Sequence, residues 1–444
     1  MIIRTISKTK NETGTLKVIP LNLMVYIQVY LIAIIFLYFF GPVKWDTHNT
    51  FFTFFMILMY QIMLGLGYKY EIRKGLYRRT GRLCSKEYIL RKFNVILLGS
   101  ISLDTLLFIR RASLMTGGLW RTIYIALTDY KALYFNETTL TSSQMIGGRA
   151  VAAMIPLLGP ISMAMIPLAS VFYKDLSVRS RILTIIAVII RLLSSLSLGA
   201  SEGIFDIGIA FIASIFIKRS YTKIYKSNYK VKSKSKKNFI IVIMGIAIIY
   251  IFTLIMTNRT GGTYNLALGV NSIDSDNVLI KIFPAFKLAI IYLSVYLCQG
   301  YYGFSLATSL KWNPTFGFGY SYYLRENIED LIGIDITGIS YQGQAEIYGW
   351  GANANWHSVY TWFANDISIF GTVLLMFFIG RLIAGLYKDS IYNQNPIAIA
   401  LFSLMVVFVL YIPANNKLFA NPQTFTAFWF YLVIWLFSKK YKES

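Results

Sequence analysis

Apolar windows of about 20 residues recur along the chain, and they constrain its fold more than any other feature. A helix of about 20 mostly apolar residues crosses a hydrocarbon core of about 30 Å. The pattern therefore predicts an all-α integral membrane protein with about ten, and at most twelve, transmembrane helices in a single polytopic domain over residues 1–444. The windows lie near 21–40, 51–68, 93–109, 150–173, 182–199, 202–217, 239–257, 358–380, 396–413 and 423–438.

The charged residues indicate how the chain is oriented. Only 14% of the 444 residues are charged, yet the net charge is +23. Nine Lys or Arg residues lie in Lys69–Lys92 and nine more in Lys218–Lys237. Short basic loops beside apolar spans are typical of cytoplasmic loops, and an even number of spans places both termini on that side. The basic surplus predicts contact with membrane lipids and not with nucleic acid, which would need a basic patch on a soluble module.

Residues 258–357 form a long segment of the opposite charge character. They contain five basic and seven acidic residues, and the topology places them in a large loop outside the cytoplasm. Within the loop, Phe283–Leu310 is apolar but contains Lys287. This segment predicts a helix that lies at the membrane interface or dips into the bilayer. A further transmembrane span, compensated by a second segment that enters and leaves the bilayer on the same side, also fits. The many aromatic residues of the loop fit an interfacial belt or platforms for sugar stacking.

Charged residues inside predicted spans are costly, at roughly 2.5 to 3.5 kcal/mol each, and are therefore candidates for function. Arg191 precedes Gly199 by eight residues and Asp206 follows it by seven, so both would lie about 10 to 12 Å below the same turn. Either an ion pair between them fixes the hairpin, or Arg191 contacts a lipid-linked phosphate while Asp206 and Glu202 orient it.

A second group of polar residues opens a predicted span near the C-terminus. Residues 356–371 read WHSVYTWFANDISIFG, in which His357 is followed nine residues later by Asp366 and fourteen later by Gly371. This spacing resembles the C-terminal signature shared by bacterial O-antigen polymerases and O-antigen ligases. Ser358 replaces the asparagine that is common in the family, and Ser368 stands where the family usually has its first glycine.

The wider layout is also similar to that family, from about residue 180 to about residue 390. Leu288–Gly303 is similar to the Tyr- and Gly-rich segment that opens the large loop in polymerases. Polymerases often have Ser-Arg-Gly between two central spans, whereas this chain has Ser-Glu-Gly at 201–203. By the resemblance, the arginine that binds phosphate must then come from elsewhere, and the available candidates are Arg191, Arg259 and Arg325.

The resemblance implies a glycosyltransferase of the bacterial inner membrane, with a fold related to the GT-C-like transmembrane glycosyltransferases. A growing glycan on undecaprenyl diphosphate would be moved to the non-reducing end of a new lipid-linked repeat unit at the periplasmic face. The large loop would then be periplasmic. The resemblance also implies a polysaccharide chain-length regulator as partner and no cofactor or metal.

Such a transfer needs a base near the acceptor hydroxyl and cations near the leaving diphosphate. The candidate catalytic residues are His357, Glu346 and Asp366. His357 is the natural base because its ordinary pKa is near 6.5, but a histidine after Trp356 at a membrane boundary would also serve as an interfacial anchor. The candidates for diphosphate binding are Arg191, Arg259 and Arg325, with Glu202 and Asp206 beside them. Two histidines and two separate cysteines offer no recognisable metal site.

Two other functions remain open on the sequence. An O-antigen ligase shares the signature but transfers the glycan to a lipid A core. A flippase for lipid-linked oligosaccharides is the alternative outside enzymes, although transporters of that class usually have internal repeats and short loops.

Overall fold

A computed structural model describes residues 23–128, 149–197, 202–225, 249–257 except 251, and 270–442. The described residues are mainly helical, with four short strands. The helices of the first half are α1 Leu23–Phe40, α2 Thr50–Ile72, α3 Lys86–Thr116, α4 Leu119–Thr128, α5 Arg149–Phe172, α6 Val178–Leu196 and α7 Glu202–Tyr225. The helices of the second half are α8 Val278–Ile282, α9 Lys287–Ala307, α10 Tyr322–Ile332, α11 Ile336–Ile339, α12 Tyr341–Gln344, α13 Val359–Tyr392, α14 Pro396–Tyr411, α15 Lys417–Ala420 and α16 Pro422–Phe437.

The prediction of an all-α membrane protein is confirmed at this level. Five of the described helices are long and apolar enough to cross a membrane, and α14 and α16 are shorter apolar helices. The helices occupy the predicted apolar windows, apart from 239–257, which is described only in part. Helix α13 continues twelve residues beyond its window, to Tyr392, because its last turns bury the charged Lys388 and Asp389 among polar partners.

The four strands pair antiparallel and identify the two ends of the helical bundle. Strand β1 (Val43–Trp45) pairs with β3 (Val270–Ile273), and β2 (Tyr77–Thr80) pairs with β4 (Lys439–Lys442). Helix α2 connects β1 to β2, so the two sheets lie at opposite ends of it. We call the end with β1 and β3 the loop face and the end with β2 and β4 the tail face.

Helices α2 and α13 run side by side in the same direction, and glycines let their backbones touch. An added Cβ at Gly67 would lie 1.9 Å from the Phe377 carbonyl oxygen, and one at Gly380 would lie 2.0 Å from that of Leu64. Such contacts need small residues, as is common where helices pack within membranes. This pair therefore forms a close-packed backbone of the bundle from the loop face to the tail face.

Helix α13 is broken at Ser368, whose backbone has φ 67° and ψ 166°. The Ser368 hydroxyl accepts a hydrogen bond from the Gly371 N–H at 3.2 Å, so it caps the segment that follows. Tyr60 of α2 donates to the Ile369 carbonyl at 2.8 Å on the other side of the break. Residues 369–392 alone extend about 36 Å, which is enough to cross a bilayer, so the break lies near the loop face.

Helix α9 lies along the loop face and does not run from one face to the other. Near its start, Lys287 donates to Ser275, which follows β3, at 3.4 Å. Near its end, the Ser305 hydroxyl accepts from the His48 N–H, just after β1, at 3.3 Å. Between them, Cys298 contacts the Ile34 carbonyl of α1. Both ends therefore lie near the same sheet, and the middle of the helix packs on α1.

Candidate functional site

Arg325 is a buried cation on the loop face. It lies on α10, whose first turn is capped by the Ser321 hydroxyl. Only 1% of Arg325 is exposed. Its guanidinium donates to Asn353 Oδ1 at 2.9 Å and to the Ser340 hydroxyl at 3.5 Å, and it lies 5.2 Å from the ring of Trp362. These neutral groups hold the cation in place but do not neutralise it.

In the part of the chain that the structure describes, no carboxylate lies within 4 Å of Arg325. The nearby acids are bound to other groups. Glu329 accepts from both the N–H and the hydroxyl of Thr337, and Asp335 accepts from the Gly338 N–H at 2.7 Å. Burial lowers the pKa of Arg325, although the carboxylates of Glu329, Glu326 and Asp335 oppose this at longer range. An arginine nevertheless stays charged in a protein, so the site keeps a positive charge.

His357 lies immediately before α13, is 1% exposed, and is close enough to Arg325 to feel its positive charge. The ring of Trp350 packs edge-on against it, 6.4 Å away. Gly303 of α9 provides the space, since a Cβ there would lie 2.8 Å from His357 Nδ1. Burial and the positive charge of Arg325 lower the pKa of His357 to about 3, while the Gly303 backbone opposes this. The imidazole is therefore neutral at pH 7.

Neither ring nitrogen of His357 has a hydrogen-bond partner of good geometry among the described residues, although the Gly303 backbone lies close enough to favour the protonated ring. A buried polar group usually has a partner, and leaving one unpaired costs about 1–3 kcal/mol. The neighbouring backbone is well paired, because the Ser358 N–H donates to the Gly300 carbonyl at 3.0 Å. The ring is thus firmly positioned while its nitrogens remain available to another donor or acceptor.

Asp366 holds a turn of the long loop against α13. Its Oδ1 accepts hydrogen bonds from the Thr315 hydroxyl and from the N–H groups of Gly317 and Gly319, at 2.5, 2.8 and 3.2 Å. Its Oδ2 is buried and has no hydrogen-bond partner among the described residues. Asp366 therefore orders residues 315–319 and offers one free carboxylate oxygen beside them.

Asn365, next to it, was missed by the sequence reasoning. Its side chain is fully buried; Nδ2 donates to the Gly319 carbonyl at 2.9 Å and to Gln342 Oε1 at 2.8 Å. Oδ1 accepts from the Tyr341 N–H at 2.9 Å. The signal available in the sequence was an amide residue within an apolar helix, directly before an acid. Asn365 links α13 to both the 315–319 turn and α12.

The third predicted catalytic residue, Glu346, has a different environment. It is exposed on the loop face, and its Oε1 accepts from the Ala352 N–H at 3.1 Å. This bond closes the turn that leads to Trp350 and His357. Glu346 therefore shapes the segment before His357.

The residues predicted within the membrane form a second cluster near the loop face. Asp206 of α7 pairs with Lys417 Nζ of α15 at 3.8 Å. Arg191 of α6 donates to the Ser162 carbonyl at 2.8 Å and attracts the carboxylates of Asp206 and Asp104. Arg191 and Asp206 are therefore close enough to attract each other, as expected. Asp206 nevertheless forms its ion pair with Lys417. Sequence reasoning missed Lys417 because it lies outside the apolar windows.

Two further predicted residues are not described in the same detail. Arg259 lies outside the described residues, and Glu202 begins α7 with a side chain whose placement is not described.

The segment around α15 connects the two clusters. Ser321, which caps α10, donates to the Phe419 carbonyl at 2.6 Å. Asn416 Nδ2 donates to the Tyr320 carbonyl, also at 2.6 Å. Lys417 and Arg325 thus belong to elements that bind each other directly. On the loop face, the structure brings together Arg325, His357 and Asp366 and links them through α15 to the Arg191 cluster.

No protein-family model, no curated protein and no solved structure matches this chain.

Proposed function

We propose that this chain is a membrane glycosyltransferase that polymerises lipid-linked O-antigen repeat units. It transfers the growing glycan from undecaprenyl diphosphate to the non-reducing end of a new undecaprenyl-diphosphate-linked repeat, at the periplasmic face. The proposal combines the resemblance of residues 356–371 to the polymerase and ligase signature with the surroundings of Arg325 and His357. It needs neither a cofactor nor a metal.

The observation that carries the proposal is the buried charge of Arg325. Removing one partner of a buried ion pair typically costs 3–5 kcal/mol, because a buried charge without a counterion is unfavourable. Arg325 has only neutral hydrogen-bond partners, and Glu329, Glu326 and Asp335 attract it from more than 4 Å away. A planar guanidinium suits a diphosphate because it donates two parallel hydrogen bonds. An anionic ligand would supply the direct counterion that the described residues do not.

His357 fits the role of the base that this transfer needs. The acceptor hydroxyl oxygen bonds to the anomeric carbon of the donor, the bond from that carbon to the diphosphate breaks, and the hydroxyl proton passes to His357. A base must be neutral beforehand, and His357 is neutral at pH 7. A diphosphate beside Arg325 offsets the positive charge that lowers the pKa of His357, so binding of the donor makes the imidazole more basic.

The buried position of His357 also fits a reaction that must exclude water. Exclusion of water strengthens electrostatic stabilisation of the leaving group and prevents hydrolysis of the donor. The acceptor then has to enter by displacement of groups that cover the histidine. Trp350 packs on the ring, and Glu346 holds the turn that carries this tryptophan. We propose that this turn, residues 345–355, moves to admit the acceptor.

The proposed orientation follows from the two faces of the bundle. The loop face, with residues 270–357, is periplasmic, and the tail face, from which α1 begins and at which β4 lies, is cytoplasmic. The basic segment Lys69–Lys92 leads into and out of the tail face, as the positive-inside bias favours. The membrane is then the bacterial inner membrane, the chain crosses it about ten times, and the fold is related to GT-C-like glycosyltransferases. A chain-length regulator and membrane lipids are the proposed partners beside the lipid-linked substrate.

Deletion of the gene in its host tests this function. Surface lipopolysaccharide from the deletion strain is compared on a gel with that of strains complemented by the natural gene or by His357→Ala. We expect the ladder to collapse to core plus one repeat, restored by the natural gene but not by the variant. Complete loss of O-antigen from the core would instead indicate a ligase or a flippase, and an unchanged ladder would refute the proposal.

A further inference from the structure

A cluster of charged residues lies at the tail face, far from the site described above. Asp389 lies 20 residues beyond Ile369 on α13, or about 30 Å along the helix axis. Beside it, a cavity of about 40 Å³ is lined by residues from α2, β2, α13, α16 and β4. We call it the tail-face cleft and define it by Glu71, Tyr77, Arg79, Lys388, Asp389, Trp435 and Lys440.

Both carboxylates of the tail-face cleft are already bound. Asp389 accepts from Asn393, Asn395 and the Trp435 indole at 2.5, 3.0 and 2.7 Å. It also pairs with Arg79 Nε at 3.5 Å. These donors occupy the oxygens of Asp389, and Arg79 is the cation that balances its charge.

Glu71 is bound in the same way. Its oxygens lie 3.7 Å from Lys388 Nζ, 3.5 Å from Arg381 Nε and 3.8 Å from Lys74 Nζ. Lys388 also donates to the Glu71 backbone carbonyl at 2.6 Å. One carboxylate thus serves three cations, so the cleft and its rim carry a positive surplus.

Lys440 is the cation of the tail-face cleft that has no carboxylate within 4 Å among the described residues. Its Nζ lies 3.8 Å from the centre of the Tyr77 ring. Burial lowers the pKa of Lys440, and repulsion from Arg79 adds to this. A positive potential at this position favours an incoming anion.

The surface beside the cleft is apolar and exposed. Leu436 and Phe437, at the end of α16, are 56% and 83% exposed. In the proposed orientation the tail face borders the cytoplasmic headgroups, so a lipid would place its phosphate among the cations and its acyl chains along α16. A free anion would contact only the cations of the cleft and not the apolar surface of α16.

We infer that the tail-face cleft binds the phosphate group of an anionic membrane phospholipid. The phosphate oxygens accept from Lys440, the charge of Arg79, which is itself bound to Asp389, Ser438 and the Trp435 carbonyl, adds to the attraction, and the bound lipid holds β4 against β2. This site is independent of the reaction proposed for the loop face. It gives the basic tail-face residues a defined ligand in addition to a general attraction to the bilayer.

The test uses the full-length protein purified in a neutral detergent. Its thermal midpoint is measured with added phosphatidylglycerol, phosphatidylcholine or inorganic phosphate. We expect phosphatidylglycerol alone to raise the midpoint. Lys440→Gln should bind phosphatidylglycerol about five-fold more weakly, as loss of one basic contact at a membrane surface implies, and Lys440→Arg should retain binding.

Lys439→Gln is the matched control, because it removes the same charge from the neighbouring exposed residue of β4, which does not line the cleft. Equal weakening by Lys439→Gln and Lys440→Gln would overturn the inference in favour of general attraction. An equal response of the natural protein to inorganic phosphate would overturn the lipid as the source of the phosphate. No response to phosphatidylglycerol would exclude the site.

Discussion

The surroundings of Arg325 and His357 determine which role each residue can have. An arginine in a long polar loop is ordinarily a solvated charge, and a histidine at the boundary of a span is ordinarily an anchor. Here both are 1% exposed, and the positive charge of one lowers the pKa of the other. Burial of a cation without a carboxylate in direct contact has a cost in stability that Glu329, Glu326 and Asp335 offset only from a distance, and that cost favours a functional role at this position.

The lowered pKa of His357 predicts a dependence of stability on pH. Because the pKa is about 3 in the folded protein against 6.5 for the ordinary residue, the unfolded chain binds a proton first as the pH falls. Stability is therefore complete above pH 6.5 and decreases as the pH falls from there towards 3, by up to about 1.4 kcal/mol per unit.

The measurement is the thermal midpoint of the natural protein and of His357→Gln at pH 7 and pH 4.5. Carboxylates also titrate in this range, so the informative quantity is the difference between the two proteins. We expect the natural protein to lose about 2.5 kcal/mol more than His357→Gln on acidification. Equal losses would mean that His357 is not buried in the neutral form.

Ser368 predicts a substitution that stabilises the protein. Its φ of 67° with ψ of 166° belongs to a region that glycine occupies and other residues avoid, at a cost of about 1–3 kcal/mol. Ser368→Gly should relieve this cost and lose only a few tenths of a kcal/mol from the cap on Gly371. Ser368→Ala keeps the strain and loses the cap, so it should lower the thermal midpoint. A lower midpoint for Ser368→Gly would contradict the observed break.

At the scale of elements, the pair α2 and α13 sets the position of the site. The break at Ser368 separates the part of α13 that carries Asp366 from the part that packs on α2. Gly67 and Gly380 fix the packed part. Because the C-terminal part is held so closely, the N-terminal part and the 315–319 turn have a rigid support. A broken helix within a membrane protein is tolerated where other elements cover its backbone, as Tyr60 does here.

This packing predicts the effect of enlarging a single glycine. Gly380→Val would place side-chain atoms against the Leu64 carbonyl, where even a Cβ lies only 2.0 Å away. We expect α2 and α13 to separate and the yield of folded protein in detergent to fall sharply, as judged by size-exclusion chromatography. Gly208→Val in α7 is the control, since no described atom lies within 4 Å of an added Cβ there. Equal yields of the two variants would show that the helices are not packed so closely.

Much at this scale could be predicted from the sequence, and the exceptions have physical reasons. Apolar windows locate helices because burial in a bilayer selects for apolar residues over their whole length. They miss the last turns of α13, where Lys388 and Asp389 are buried with polar partners. They also give no sign of the break at Ser368, because a serine inside an apolar run occurs in continuous helices as well as in broken ones.

For the whole molecule, the two faces predict which residues are accessible from each side of the membrane. Asp276→Cys on the loop face, whose side chain is 90% exposed, should react with a membrane-impermeant maleimide on intact spheroplasts. Lys439→Cys on the tail face should react only after the membrane is permeabilised. The natural Cys84 and Cys298 are buried and should contribute little. Reaction of both new cysteines from one side would contradict the arrangement.

The candidate site was less predictable than the fold because it is assembled from distant segments. The spacing from His357 to Asp366 was visible in the sequence, and Arg325 was one of three arginines that could not be ranked. Only the fold shows that Arg325 is buried beside His357, whereas Arg191 lies with Asp206 and Lys417. Lys417 and Asn365 carried no motif. Their importance comes from the contacts they make between segments.

The central claim is that Arg325 holds a lipid diphosphate, and direct binding tests it best. Purified full-length protein is titrated with undecaprenyl diphosphate, and bound lipid is counted by native mass spectrometry. The natural protein should show saturable binding, and Arg325→Gln should bind at least ten-fold more weakly, since a hydrogen bond to a charged group contributes about 1.5–3 kcal/mol. Lys311→Gln, which removes an exposed cation from the same face, should bind normally. Equal binding by the natural protein and Arg325→Gln would contradict the account.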